Sequence, residues 1–467
     1  MAKLKLRGKD LLKIGFDQGP AIGLAITIMQ RHYKFNSKQH VLTILQDVRS
    51  APERYAQDEI FGPLVKVLRR SESVAPREIP LRTDPPDYRI YGSAYIQESA
   101  RLQMAVAMRL PVARYGALMP DAHHGYGLPI GGVLATEKAI IPYGVGVDIG
   151  CRMCLTVYDL PADRLREDRS KFKEWLGIHT RFGLETHDAP MDDPVLAHSA
   201  FKEIKVVKDL RQKARAQIGS SGGGNHFVEF GEVTLTDDQN PWQIPPGQYL
   251  GILSHSGSRG LGAQIARHYT QLAMERTPLP KEAKHLAWLD LDTEPGQEYW
   301  RAMNLAGDYA AACHHHIHRR LGRAMGLEPV ATIENHHNFA WKETGPGGRE
   351  YVVHRKGATP AGRNVLGIIP GSMTAPAFLV RGKGAMASLR SAAHGAGRQI
   401  SRRKARQSFS KKQLRDTLKK HQVDLIGGGM DEAPFAYKDI HRVMAHQTDL
   451  VEVLGTFQPR IVRMADG

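Results

Sequence analysis

Six short segments set histidine, cysteine or aspartate beside glycine and other small residues. They are Met119-Pro-Asp-Ala-His-His-Gly125, Gly144-Val-Gly-Val-Asp-Ile-Gly-Cys151, Gly222-Gly-Gly-Asn-His-Phe-Val-Glu229, His255-Ser-Gly-Ser-Arg259, Glu334-Asn-His-His-Asn338 and Ala393-His-Gly-Ala-Gly-Arg398. Glycine lets the backbone approach a ligand closely and adopt φ > 0, so a neighbouring side chain can be aimed into a site. One such histidine reads as structural; six glycine-flanked clusters point to a metal or phosphate site. Asp148 and Cys151 stand three residues apart, so one turn can carry both to a common centre. Thiolate, imidazole and carboxylate together suit zinc, manganese, iron or cobalt, whereas magnesium and calcium prefer oxygen shells.

Two other cysteine and histidine patterns compete with that reading. Cys151-Arg-Met-Cys154 is formally a CxxC, but Cys313 is the only other cysteine, so a zinc ribbon lacks its second pair. A redox pair is disfavoured because Leu155-Thr-Val-Tyr158 reads as a buried strand that encloses Cys154. The run Cys313-His-His-His-Ile-His318 falls inside a helical pattern and reads as a helix surface with at most one core histidine.

His394 carries a different chemistry. Gly395-Ala-Gly397 follows it and opens a helix-compatible stretch. A helix N-terminus supplies free N–H groups and the positive dipole end, which make an anion site. A neutral imidazole there can attack phosphorus while adjoining amides take up developing charge. Arg398 and Arg402 share one face of that expected helix, as a phosphate track or as a plain solvated basic face. Ile369-Pro-Gly-Ser-Met373 adds a second turn able to hold phosphate oxygens.

These residues need elements to position them. Residues 1–75 read as a helical extension, with apolar residues at helical spacing over Leu24–Arg31 and Val41–Val48. Residues 76–88, with Pro76, Pro80, Pro85 and Pro86, read as a linker. From 89 to 467 short apolar runs such as Gly131–Ala135 and Leu250–Leu253 predict strands ending in loops. Helices are expected over Leu261–Arg276 and Tyr299–Met325, with a basic helix-compatible stretch from Gln399 to Lys420. Lys plus Arg exceed Asp plus Glu by 64 to 48, a formal charge of +16 that attracts polyanions, nucleic acid above all. No apolar run approaches a membrane span and no export signal is evident, so no membrane association is expected. The three cysteines are too few for a disulfide framework, which places the chain in the cytoplasm.

The six clusters, in this order, resemble the RtcB family of GTP-dependent RNA-splicing and RNA-repair ligases. Val353-His-Arg-Lys-Gly-Ala358 and Glu432-Ala-Pro-Phe-Ala-Tyr-Lys438 extend the likeness across residues 89–445. The resemblance implies an α/β (α+β) fold around a central metal and nucleotide cleft. It implies joining of a 2′,3′-cyclic-phosphate or 3′-phosphate RNA end to a 5′-hydroxyl end, with GTP and two manganese ions. Carried over, Cys151 bridges the metals while Asp148, His226, His255 and His337 complete their shells; His337 is preferred to His336 because it precedes Asn338. Asn225, His226, Phe227, Glu229, Asn338, the Pro370-Gly371-Ser372-Met373 turn, His394 to Gly397 (including Gly395 and Ala396) and Tyr437 hold the nucleotide. His394 is the nucleophile that takes GMP, Asp121 supports catalysis, and Arg259, Arg398 and Arg402 hold RNA phosphates. The expected partners are RNA, tRNA among its forms, and an activator protein of archease type.

Three departures qualify the likeness. The family ends in a lysine-glycine pair whose lysine reads guanine; this chain ends Pro459-Arg-Ile-Val-Arg-Met-Ala-Asp-Gly467, so Arg463 or nothing takes that place. Ala377 stands where the family offers a serine. The first 75 residues are not the family's usual start; Gly8-Lys-Asp-Leu and Gly19-Pro-Ala-Ile-Gly23 resemble the helical tail of tRNA nucleotidyltransferases, which suits tRNA-like substrates. The alternatives are a divergent member using another nucleotide, one acting only as a metal-dependent cyclic phosphodiesterase, or a non-catalytic RNA-binding protein.

Overall fold

The computed structural model describes residues 4, 6–16, 20–72, 78–188, 191–238 and 240–466. Of the features singled out above, Gly19 and residues 1–3, 5, 17–18 and 73–75 of the expected helical extension, residues 76–77 of the expected linker and Gly467 lie outside the described residues. The chain forms two compact units, Met1–Arg77 and Glu78–Gly467.

The first unit is helical. Its helices span Gly8–Lys13, Pro20–His32, Lys38–Ser50 and Gly62–Glu72. Ala21, Ala25, Ile28 and Met29 fall on one stripe of the second helix and Val41, Leu45 and Val48 on one stripe of the third, and both stripes are buried in a common core. Ser37 caps the third helix by accepting from the His40 N–H.

The second unit is a mixed α/β body. Residues 78–88 pack within it: the Ile79 N–H donates to Pro278 O, the Arg82 N–H to Arg109 O, and Ile79, Leu81 and Tyr88 lie on its core. Among the described residues, one sheet has eight strands. Its path runs Leu366–Ile369, Ala377–Gly382, Val451–Asp466, Phe227–Leu235, Gly247–Ser256, Arg152–Pro161, Ala331–His336, and Asp424–Gly428 adds to the Val451–Asp466 strand. A five-stranded sheet runs Arg89–Ile90, Ala113–His123, Ile130–Thr136, Glu350–Lys356, Asn338–Thr344. Neighbours within both are antiparallel except at Arg89–Ile90 and Asp424–Gly428. Helices Glu98–Met108, Arg259–Arg276 and Glu294–Met325 bury the largest core. No helix among the described residues is long and apolar enough to cross a membrane.

The Glu294–Met325 helix corrects one expectation. His314, His316 and His318 are all buried, so the histidine run is not a helix surface. His314 and His318, four apart, share the face turned to the eight-stranded sheet, and His316 meets Asp193 at 2.9 Å. Only His315 is exposed.

Candidate functional site

The antiparallel order of the large sheet brings its ligands together. Cys151 precedes the Arg152–Pro161 strand, His226 precedes Phe227–Leu235, and His255 lies near the end of the strand between them, in register with Met153 and Phe227. N-terminal ends of two strands therefore meet the C-terminal end of the third. His337 joins the Ala331–His336 strand of this sheet to the Asn338–Thr344 strand of the other, and its N–H donates to Cys151 O at 3.0 Å.

Two donor groups result, Asp148–Cys151–His226 and Cys151–His255–His337, each with ligand atoms within 4.8 Å of one another. Cys151 is common to both. Its Sγ lies 3.3 Å from His226 Nε2 and 3.1 Å from His255 Nε2, and His226 Nε2 lies 2.8 Å from the Asp148 carboxylate. His255 Nδ1 donates to Asn225 O at 2.9 Å, which leaves its Nε2 as a lone pair, 3.1 Å from His337 Nε2. Burial drives His255 down to about 3 and His337 well below its usual value, so both imidazoles are neutral. Burial and then the Asp148 carboxylate push the Cys151 thiol up. Burial alone would raise Asp148, but the His226 imidazole outweighs it and holds the carboxyl low. Neutral nitrogens and a sulfur converging on one point are donors suited to divalent transition metals, and these groups can hold metal ions. At Gly257 a Cβ would come within 2.0 Å of the Asp148 carboxylate, so only glycine lets that ligand settle there.

A third group, Cys154–His314–His318, also falls within 4.8 Å. Here each ring nitrogen already has a partner. Ser254 Oγ lies 2.6 Å from His314 Nδ1 and 2.7 Å from His318 Nε2, Ser256 O accepts from His314 Nε2, and Thr156 Oγ1 hydrogen-bonds His318 Nδ1. A hydrogen-bonded layer accounts for it without a metal. Cys154 itself is enclosed by its strand.

His394 follows the short Ser391–Ala393 strand, and its ring centroid lies 4.9 Å from that of His337. The fully buried Asp121 accepts from its Nδ1 at 2.6 Å and from its backbone N–H at 3.2 Å. With Nδ1 donating, Nε2 keeps its lone pair. The helix expected here is absent: it begins only at Arg402, capped by Ser401. Gly395 to Ile400 forms a loop instead, fixed by the Ala396 N–H donating to Pro370 O and by Gly397, at φ +69, where a Cβ would meet Asp121 O at 2.0 Å. His394 thus owes its orientation to Asp121 and not to a helix dipole. Arg398 lies outside the helix that contains Arg402.

Both constellations border one cavity of about 430 Å³. Asp148, Cys151, His255 and His337 line it, as do Asn225, Phe227, Glu229, Asn338, the Pro370–Met373 turn, the His394–Gly397 loop and Tyr437. His226 and Asp121 stand behind the wall, each touching a lining residue. Burial pushes the Glu229 carboxyl well above its usual value, so it is a neutral acid able to donate. Asn338 accepts from the Gly357 N–H and reaches Asp148 O. Ala377 lines the cavity where a serine was expected.

The arginines are committed more than expected. Arg398 lines the cavity but bonds Glu432 and stacks on Tyr437, and Arg402 meets Asp431 at 3.3 Å and Glu432 at 2.7 Å. Arg259 stands outside the lining, its guanidinium bonded to Ser220 Oγ and Gly183 O. Arg463 does not reach the cavity: Val462 and Met464 face it, so strand alternation turns Arg463 the other way, onto the carbonyls of Leu176, Gly177 and Thr180.

Lys356 and Glu432 are site residues that motif reasoning left without roles, although both lie in segments quoted above. The Lys356 Nζ, buried in the cavity wall, donates to the carbonyls of Tyr126 and Tyr143, and burial lowers it to about 7. Glu432 joins Arg398, Arg402 and the Tyr437 hydroxyl.

The profile of the family described as "tRNA-splicing ligase RtcB" matches residues 103–195 and 196–465. The RNA-splicing ligase RtcB of Escherichia coli (strain K12) is 33% identical, covering 78% of this chain and 93% of that protein. The tRNA-splicing ligase RtcB of Thermococcus kodakarensis is 29% identical over 76% of this chain and 88% of its own length. The RNA-splicing ligase RtcB of Mycobacterium bovis is 31% identical over 77% and 99%.

Proposed function

The chain belongs to the tRNA-splicing ligase RtcB family, and from that premise we propose that it is an RNA ligase joining 3′-phosphate or 2′,3′-cyclic-phosphate ends to 5′-hydroxyl ends. The observation that carries the reading is His394, oriented by Asp121 and set 4.9 Å ring to ring from His337 of the donor group.

Asp148, Cys151, His226, His255 and His337 would hold the two manganese ions, which would supply positive charge to offset that of the triphosphate. His394 Nε2 forms a bond to the α-phosphorus of GTP as pyrophosphate leaves, while the Nδ1 proton stays hydrogen-bonded to Asp121. The 3′-phosphate oxygen of RNA then takes GMP from His394, a cyclic end having first been opened by water. The 5′-hydroxyl attacks the activated phosphorus, forms the phosphodiester and releases GMP. Asn225, the Pro370–Met373 turn and the neutral Glu229 hold the nucleotide; Arg398 and Arg402 border the RNA phosphates.

A second reading, a nucleotide other than GTP, is favoured by Arg463, the cation that could have read guanine, which turns away from the cavity onto the carbonyls of Leu176, Gly177 and Thr180. The test therefore uses both GTP and ATP, radiolabelled at the α-phosphate, with manganese. Wild type should acquire acid-labile label and His394→Ala none; absence of an adduct with either nucleotide would overturn the nucleophile. In the same preparations Cys151→Ala should lose bound manganese, and unchanged stoichiometry would reject the bridging thiolate.

A further inference from the structure

Beyond Tyr437 a second cavity of about 550 Å³ adjoins the first, and the two share Ser372, Ala375 and Tyr437 as wall. The nucleotidyl-transfer chemistry uses none of its remaining residues. One side is a layer of planar groups. Tyr95 closes a turn begun at Gly92, its N–H donating to Gly92 O, and its ring lies 4.9 Å from the His446 ring. The Arg442 guanidinium lies 5.6 Å from the Tyr95 centroid. Tyr95 is 44% exposed, an aromatic ring not spent on the core. Gln97 and Gln399 stand at the edge, their amide nitrogens donating to Gln399 O and Phe435 O. Arg442 is exposed, and the Asp439 carboxylate lies 3.8 Å from it.

Nucleobases stack on aromatic rings and on guanidinium planes, are read along their edges by amides, and carry a phosphate that a free arginine holds. We propose that this second cavity is a subsite for one nucleotide of the RNA strand whose end reacts at His394. Its base stacks against Tyr95, Arg442 and His446, and its phosphate lies at Arg442. The identity of the polymer rests on the ligase reading. RNA is favoured over the guanosine of GTP because Tyr95, His441 and Arg442 form an exposed rim through which a strand can continue, whereas Glu229 and Met373 of the first cavity are buried.

The test is fluorescence anisotropy of a labelled 3′-phosphorylated RNA oligonucleotide with the full chain, beside the rate of labelling by GTP alone. Tyr95→Ala should weaken RNA binding about tenfold and Tyr95→Trp should restore it, as expected for stacking. Arg442→Gln should weaken binding and flatten its salt dependence. RNA affinity within twofold of wild type in both Tyr95→Ala and Arg442→Gln overturns the subsite. A GTP-labelling rate that falls in step with affinity also overturns it, assigning the cavity to guanosine. If wild type labels with no nucleotide, the ligase reading falls while the RNA affinities still decide this one. Arg442 lies on an exposed helix face, so its variant keeps the question open to measurement even if Tyr95→Ala fails to fold.

Discussion

At His394 a single carboxylate sets which nitrogen can react. Asp121 Oδ2 accepts from both the His394 backbone N–H and Nδ1, and Lys438 donates to the carbonyls on either side of Asp121. Asp121→Asn keeps the shape but offers an amide N–H in place of an acceptor. The ring then keeps its proton on Nε2, and the lone pair turns away from the cavity. Labelling by nucleotide should slow about ten-thousandfold, the scale seen when a carboxylate orienting a catalytic histidine is amidated. A quenched-flow rate for Asp121→Asn equal to wild type would show that this contact does not select the tautomer. The histidine, cysteine and aspartate that gather at the cavity were legible in the sequence because clusters of such residues beside glycine are unusual. The Asp121 contact was not, since 273 residues separate the partners.

Among elements, the loop and helix after His394 depend on charge pairs that no local pattern announces. Arg398 and Arg402 both reach Glu432, and Arg402 and Arg406 reach Asp431, whose short turn packs beneath them. Burial would raise Asp431, but hydrogen bonds from Arg406 and the arginine charges outweigh it and hold it low. Reading Arg398 and Arg402 as one helical face failed for that reason. The spacing was right, but Gly397 at φ +69 interrupts the helix and the acids that fix the arginines lie about thirty residues on. Helices with a clean apolar stripe, such as Pro20–His32, were legible because their burial is periodic, and Ile130–Thr136 because it is a short run of apolar and small residues buried almost throughout. Glu432→Gln leaves Arg398 largely buried without its carboxylate. It should cost about 3 kcal/mol, the order found when one member of a buried pair is removed. Urea unfolding would register the loss, and limited trypsin digestion should cut first near Arg402 and Arg406. An unchanged midpoint with no new cleavage would show that the pairs do not hold this segment.

For the whole molecule, buried histidines outside the donor groups set an acid limit on stability. Burial lowers His123 to about 4, His318 to about 3 and His354 to about 4, against 6.5 in an unfolded chain. His354 shows why: Nδ1 donates to Leu134 O while Nε2 accepts from the Ile141 N–H, an arrangement a protonated ring cannot keep. Between about 6.5 and 4 the unfolded chain binds protons that the folded chain refuses. Stability therefore falls as pH drops through that window and is steady just above it. One proton of difference is worth about 1.4 kcal/mol per pH unit, so three such groups give about 4 kcal/mol per unit near pH 5. Depressed carboxylates such as Asp431 act in the same direction but only at lower pH. In the presence of a chelator, urea midpoints at pH 7, 6 and 5 should decline with increasing steepness while the m-value holds. His354→Gln, which cannot titrate, should make that decline shallower by about one proton. A midpoint independent of pH from 7 to 5 would mean that these rings are not buried in the neutral form.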